Sequence, residues 1–254
     1  MTQIKILHIT DPHFVTDRES FRDLENLFKA LAEQEKEIDI ILFGGDYEDP
    51  ETFVTTVELA EALLNPSLVA YILGNNDLFE KVSKTDAVYI DADVKVFRKD
   101  DTELVIAGIS RNVVFKPRQY KRTISQYEQV VRHIRNKLTL LGKKLHVLLI
   151  HDVPLEIAEQ AVKQGHIDMY NTTIVSTLSR AICILNPTIV YTGHLHAPHV
   201  HAKNNTTHIY LTCWTQHRTL TLTRIDTRTK TAKTQILKHT NNKPTTIQEY
   251  ETTI

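Results

Sequence analysis

Apolar residues recur along the chain in two alternating rhythms. Short runs rich in β-branched residues, at positions 4–9, 38–43 and 68–73, read as buried strands. Each stops at a turn signal: Thr10-Asp11-Pro12, Gly44-Gly45 and Gly74. Helical spacing fills the gaps. Phe21, Leu24, Leu27, Phe28 and Leu31 share one face of a first helix, which Thr16 or Asp17 can cap. Phe53, Val57, Ala60 and Leu64 share one face of a second, opened by Pro50-Glu51. Strands alternating with helices of this length imply βαβ units and a largely parallel sheet.

Further along, residues 94–110 read as strand, turn and strand, with Lys99-Asp100-Asp101 at the turn. Val130, Ile134, Leu138 and Leu141 mark a helix over 125–141, and a strand is expected at 145–150. A helix over 174–185 and a strand at 188–191 follow. Segments 208–215, 219–225 and 232–237 then read as an antiparallel meander. The polar, Thr-rich stretch 239–254 reads as a weakly ordered tail. No repeat and no Gly/Ser-rich linker divides the sequence, so residues 1–238 are expected to form one domain and 239–254 its tail.

Composition narrows the function classes. Of 254 residues, 30 are basic and 31 acidic, giving a net charge of −1. That balance argues against tight, purely electrostatic nucleic-acid binding, though it leaves room for a local basic patch. The two cysteines, Cys183 and Cys213, are far apart in apolar surroundings and read as buried small hydrophobes, not as a disulfide. The first residues lack the apolar core of a signal peptide, and no apolar run approaches membrane-spanning length. A cytoplasmic protein is the expectation, with no membrane partner.

The chemistry lies where strands end. Five apolar strands run into Asp11-Pro12-His13, Gly45-Asp46, Gly74-Asn75-Asn76-Asp77, His151-Asp152 and Gly193-His194-Leu195-His196. In open parallel sheets, ligands bind at the carboxyl ends of strands, so these donors describe one convergent site. Asp11 and His13 sit two apart, as do His194 and His196, so in an extended segment each pair points to one side. Glycines before Asp46, Asn75 and His194 allow a sharp turn and close approach to a ligand. Mixed nitrogen and oxygen donors suit Mn, Fe, Ni or Zn better than a dedicated Mg or Ca site. Seven donors are too many for one tetrahedral ion, and they fit two ions if a carboxylate bridges.

The ordered series DPH, GGD, GNND, a strand-terminal His and GHLH resembles the motif series of the calcineurin-like metallophosphoesterases, across residues 4 to about 215. The resemblance implies a four-layer α-β-β-α sandwich of two mixed sheets flanked by helices, with the meander completing the second sheet. It implies two divalent transition-metal ions, manganese favoured: Asp11, His13 and His196 on one, Asn75, His151 and His194 on the other, and Asp46 bridging. The activity implied is metal-dependent hydrolysis of a phosphate ester, a nucleotide among the candidates, by a bridging water that the two ions activate for in-line attack. Homodimers are common in the family.

One departure matters. Many relatives carry His where this chain has Asn76, in GNHD or GNHE, to bind phosphate or protonate the leaving group. An amide can donate a hydrogen bond but is no general acid near neutral pH, and Asp77 then lacks its usual partner. Asn76 and Asp77 are therefore the candidate catalytic residues beside the metals, and a phosphodiester is the expected substrate. Arg111, with Asn112, follows the strand at 104–109 and could overhang the site to bind a phosphate. The alternatives are a metal-bound scaffold subunit and a nuclease.

Blander readings suit the remaining residues. The stretch Lys116-Pro117-Arg118-Gln119-Tyr120-Lys121-Arg122 reads as a solvated basic loop more readily than as a nucleotide cover. His199 and His201 are expected in supporting or surface roles, not in a separate zinc site. Trp214 and Tyr210 read as sheet packing, His8 as packed within its strand, and Glu48 and Asp49 as supports for the site or a helix cap.

Overall fold

The computed structural model describes residues 3–35, 37–114, 116, 118–119, 121–204, 206–240 and 243–254. The N-terminal alternation folds as read: β1 (Gln3–Ile9), α1 (Ser20–Glu35), β2 (Ile40–Phe43), α2 (Pro50–Leu64) and β3 (Leu68–Tyr71). Asp49 caps α2 by accepting from the Thr52 N–H at 2.9 Å, and Pro50 follows at the first helical position. Asn65 ends that helix in a left-handed conformation, φ 48°.

A short β4 (Val88–Tyr89) leads to the hairpin of β5 (Asp93–Lys99) and β6 (Thr102–Ile109). Two-residue strands β7 (Val113–Val114) and β8 (Arg122–Thr123) precede α3 (Ile124–Leu141), whose Thr123 and Gln126 form a capping box. Then come β9 (Val147–Ile150), α4 (Leu155–Lys163), α5 (Thr172–Leu185), β10 (Ile189–Thr192), β11 (His199–Asn204) and β12 (Thr207–Thr212). A single turn, α6 (Trp214–His217), leads into β13 (Thr219–Asp226), β14 (Thr231–Thr240) and β15 (Lys243–Thr253).

Two mixed sheets result, in the orders β15-β14-β13-β1-β2-β3-β4 and β11-β12-β10-β9-β6-β5, besides the small β7-β8 pair. They pack face to face. Ile4, Ile6, Leu42, Ile72, Ile106, Leu149, Tyr191 and Tyr210 fill the layer between them. The outer face of the first sheet carries Leu7, Ile9 and Phe43 against Leu24, Phe28, Phe53 and Val57 of α1 and α2. The outer face of the second carries Leu148 and Ile150 against Ile134 of α3, Ala158 of α4 and Leu178 of α5. Strands covered on both faces need continuous apolar runs, which is why β2, β3, β9 and β10 were legible. The fold is the four-layer α-β-β-α sandwich.

Four expectations are corrected. The meander does not complete the second sheet: β12 joins that sheet beside β10, whereas β13 and β14 pair in the first, beside β1. The chain crosses because the Trp214 and Thr215 N–H groups donate to the Thr10 and Asp11 carbonyls, each at 3.1 Å, which coils the segment expected to extend to 215. Trp214 therefore packs from α6, its indole donating to the Ser20 carbonyl at 3.3 Å. Residues 243–253 are no loose tail but the edge strand β15, paired antiparallel with β14 across a register shift at Ile236/Leu237; an edge strand exposed on most positions reads as polar. Helix α4 was missed because two of its three buried positions are alanines, too small to signal a face. Cys183 is exposed on α5, while Cys213 is buried. Among the described residues no helix is long and apolar enough to cross a membrane.

His8 is fully buried between the sheets, stacked on Tyr191 with ring centroids 4.7 Å apart, and burial pushes its pKa down to about 3. The unfolded chain binds a proton at His8 near pH 6.5 and the folded chain does not. Its contribution to stability is thus complete above about pH 6.5 and lost as pH falls towards 3, by about 1.4 kcal/mol per unit. Urea unfolding of metal-free protein between pH 6.5 and 5 should show a shallower acid loss in His8→Phe than in the unsubstituted chain. Equal slopes would mean the ring already titrates in the fold.

Candidate metal centre

The five strands whose ends carry the donors are neighbours within the two sheets: β1, β2 and β3 in one, β9 and β10 in the other. Their carboxyl ends meet at one edge of the sandwich. Ligand atoms of Asp11, His13, Asp46 and His196 lie within 4.8 Å of one another, and so do those of Asp46, His151 and His194. Asn75 joins the second group through its side-chain oxygen, 3.0 Å from His151 Nε2. Asp46 Oδ2 lies 3.4 Å from His151 Nε2 and 3.7 Å from His13 Nε2. His13 Nε2 faces His196 Nε2 at 2.9 Å, and the latter lies 3.7 Å from Asp11 Oδ1. All seven residues expected to bind metal are brought together.

The backbone achieves this differently from the extended segments expected. Asp11, His13, Asp46, His194 and His196 all have positive φ, between 48° and 71°. Non-glycine residues rarely adopt that region, and such strain gathers at functional sites. Each pair two apart converges because the chain coils there. The glycines serve the protein's own carboxylates: a Cβ on Gly74 would lie 2.0 Å from Asp46 Oδ1, and one on Gly193 would lie 2.6 Å from Asp11 Oδ2.

Supporting groups aim the rings. Glu48 Oε1 holds His13 Nδ1 at 2.7 Å, and the Gly44 carbonyl holds His151 Nδ1 at 2.9 Å, so each Nε2 is left to face the cluster. The His194 N–H donates to both Asp11 oxygens at 2.9 and 3.1 Å, and Thr10 adds a hydroxyl at 2.9 Å. His217 Nε2 meets the His196 carbonyl at 3.0 Å. Glu48 and Asp49 thus divide the two roles expected of them. The Gly44 carbonyl was invisible in the sequence because it is backbone.

Asp77 is fully buried and accepts four backbone N–H groups: Asp46 (2.9 Å) and Gly74 (2.7 Å) on Oδ2, Tyr47 (2.7 Å) and Glu48 (2.9 Å) on Oδ1. It holds two loops together and faces no open space. Arg111 is also buried; its guanidinium donates to the Asp77 and Phe79 carbonyls and so braces the loop after β3 instead of overhanging the site. Asn76 is exposed at the mouth, with its N–H on Asp46 Oδ1 and its Nδ2 on Asp46 Oδ2, each at 2.8 Å. In the basic stretch, Pro117 and Tyr120 lie outside the described residues, and Arg122 grips Asp91 through both terminal nitrogens. His199 and His201 lie on β11 outside both donor groups, and His201 Nε2 meets His208 Nδ1 at 3.2 Å.

The site calls for positive charge. Burial opposes ionisation of Asp46, yet the His151 charge beside it holds the carboxyl below the usual range. Burial likewise opposes protonation of His151, and the Asp46 and Asp11 charges overcome it, raising the imidazole to about 10. Burial and the Asp46 charge push Asp11 up. A proton on His151 balances two buried carboxylates here, a task a divalent cation would perform at the same place.

The profile of the calcineurin-like phosphoesterases matches residues 4–198. The chain belongs to that family. Among solved structures, the TT1561 protein of Thermus thermophilus is similar at 14% identity and a TM-score of 0.61, covering 92% of this chain and 98% of that one. Vacuolar Protein Sorting 29 from Cryptosporidium parvum is similar at 12% identity and a TM-score of 0.52, over 100% of both chains. At these identities the two neighbours bear on the fold alone. No curated protein matches the chain. Family membership and the two donor groups together support a metal-dependent phosphoesterase.

Asp77→Asn would turn two acceptor positions into donors facing N–H groups. Its unfolding free energy in urea should fall by about 2–4 kcal/mol. A change under about 1 kcal/mol would mean that the four contacts do not hold the loops.

Proposed function

We propose that this chain is a binuclear phosphodiesterase in which Asp11, His13 and His196 hold one ion, Asn75, His151 and His194 hold the other, and Asp46 bridges them. The observation that carries this reading is that both donor groups contain Asp46. The donor set of imidazoles, carboxylates and one amide oxygen favours manganese, iron, nickel or zinc, manganese first. Bound there, the ions would activate water and neutralise the phosphoryl oxygens.

The chain's own residues do the positioning. Glu48 fixes the His13 ring and Gly44 fixes that of His151, so neither has to reorient when substrate arrives. Asn76, exposed at the mouth, can turn its Nδ2 from Asp46 to a phosphoryl oxygen and donate a hydrogen bond there. It has no proton to give a departing alkoxide. Esters with acidic leaving groups should therefore react well and simple alkyl esters poorly, which suits an activated diester. Asp77 and Arg111 act as positioning residues. The basic stretch offers limited support for a nuclease, since Arg122 is engaged by Asp91. The same Asn76 also supports a scaffold subunit that binds metal without turnover.

Metal-stripped protein re-supplied with manganese should hydrolyse bis(4-nitrophenyl) phosphate faster than 4-nitrophenyl phosphate. Asp46→Ala should reduce that activity by more than about a hundredfold, beyond the usual loss of an outer ligand contact. Faster monoester turnover would overturn the diester preference, and silence with two ions bound would favour the scaffold.

A second series tests the missing acid. Asn76→His should raise turnover of a diester with an alkyl leaving group by about 10²-fold and change the nitrophenyl ester little. Equal effects on both esters would remove the argument from Asn76.

A further inference from the structure

Two large apolar side chains stand in water on the loops that carry the metal donors. Val15, two residues after His13, is 60% exposed, and Leu78, two residues after Asn76, is 70% exposed. Single exposed apolar residues are ordinary on protein surfaces. These two share an anchor. The Val15 N–H donates to Glu48 Oε2 at 3.2 Å, while Glu48 Oε1 holds the His13 ring. The Glu48 N–H in turn donates to Asp77 Oδ1 at 2.9 Å, and Leu78 is the next residue along.

The backbone around them is tied down. Arg111 grips the carbonyls on both sides of Leu78, those of Asp77 and Phe79. Thr16, after Val15, donates its N–H to Glu48 Oε2 at 3.0 Å. Hydrogen bonds thus tie Val15 and Asp77, the neighbour of Leu78, to Glu48, on the braced loops that also carry His13 and the exposed Asn76. With both loops braced, they have little freedom to fold back into the core, and covering them with apolar carbon would be favourable.

We propose that Val15 and Leu78 form an apolar rest for the ester group of the substrate. The protein then binds phosphoesters whose ester group is aliphatic or aromatic carbon more tightly than those whose ester group is wholly polar. This rests on the phosphodiesterase reading, because the phosphoryl group must sit on the metals for its ester arm to lie across this wall.

The test is calorimetric binding of methyl-, butyl- and hexylphosphonate to manganese-loaded protein, which needs no turnover. A fully buried methylene strengthens binding about fourfold, and one left half in water about twofold. Affinity should therefore rise about twofold per methylene. In the Val15→Ser, Leu78→Ser double variant the rise should vanish, with methylphosphonate bound as before. Methylphosphonate binding without dependence on chain length would overturn the apolar rest and leave the phosphodiesterase standing. A dependence that persists in the double variant would also overturn it, placing the apolar contact elsewhere. Failure of manganese-loaded protein to bind any phosphonate would sink the phosphodiesterase reading and this inference with it.

Discussion

One carboxylate out of reach of water organises the centre. Asp77 gathers N–H groups from the loops after β2 and β3 and so joins the two. Asp46 and Glu48 are held in left-handed backbone, φ 60° and 69°, while their N–H groups point at Asp77. Glu48 then fixes His13, so an acid remote from any substrate sets the attitude of donors on two strands. Several charge-assisted bonds to one ion hold such a conformation where a solvated loop would relax.

The second organising force is electrostatic. Burying Asp11 and Asp46 side by side is unfavourable unless positive charge lies between them. His151 provides it in the metal-free state by keeping a proton well above the usual imidazole range. A metal bound there would compete with that proton, since a ligating imidazole must be neutral. Neither charge could be replaced by packing, because the site's edge position leaves it open to solvent at the mouth.

Legibility in the sequence followed burial. Strands covered on both faces, such as Ile40–Phe43 and Val147–Ile150, announce themselves as apolar runs, and their terminal donors were found by position. The seven candidate donors stood out because five strand ends repeat one chemistry, and the fold brings their side chains together. What escaped notice depends on backbone geometry or on surroundings. Nothing in Asp11 or His194 announces a left-handed conformation, and nothing in Arg111 announces that two carbonyls will claim its guanidinium. Asp77 read as half of a catalytic pair because its neighbours in sequence are ligands, whereas its neighbours in space are amides. Lys243–Thr253 read as a tail because an edge strand needs little apolar surface once β14 supplies its hydrogen bonds.

The position of β1 has a consequence for synthesis. This first strand lies between β2, which follows it closely, and β13, which ends at Asp226. A chain emerging from the ribosome can pair β1 on one side early, but its other edge stays open until Thr219–Asp226 has been made. The same delay applies to Asp11, because the Thr215 N–H that caps its carbonyl arrives on α6 just before β13. The earliest donor in the sequence is thus among the last to reach its final surroundings, and a nascent chain stalled before β13 would present β1 as an unpaired edge.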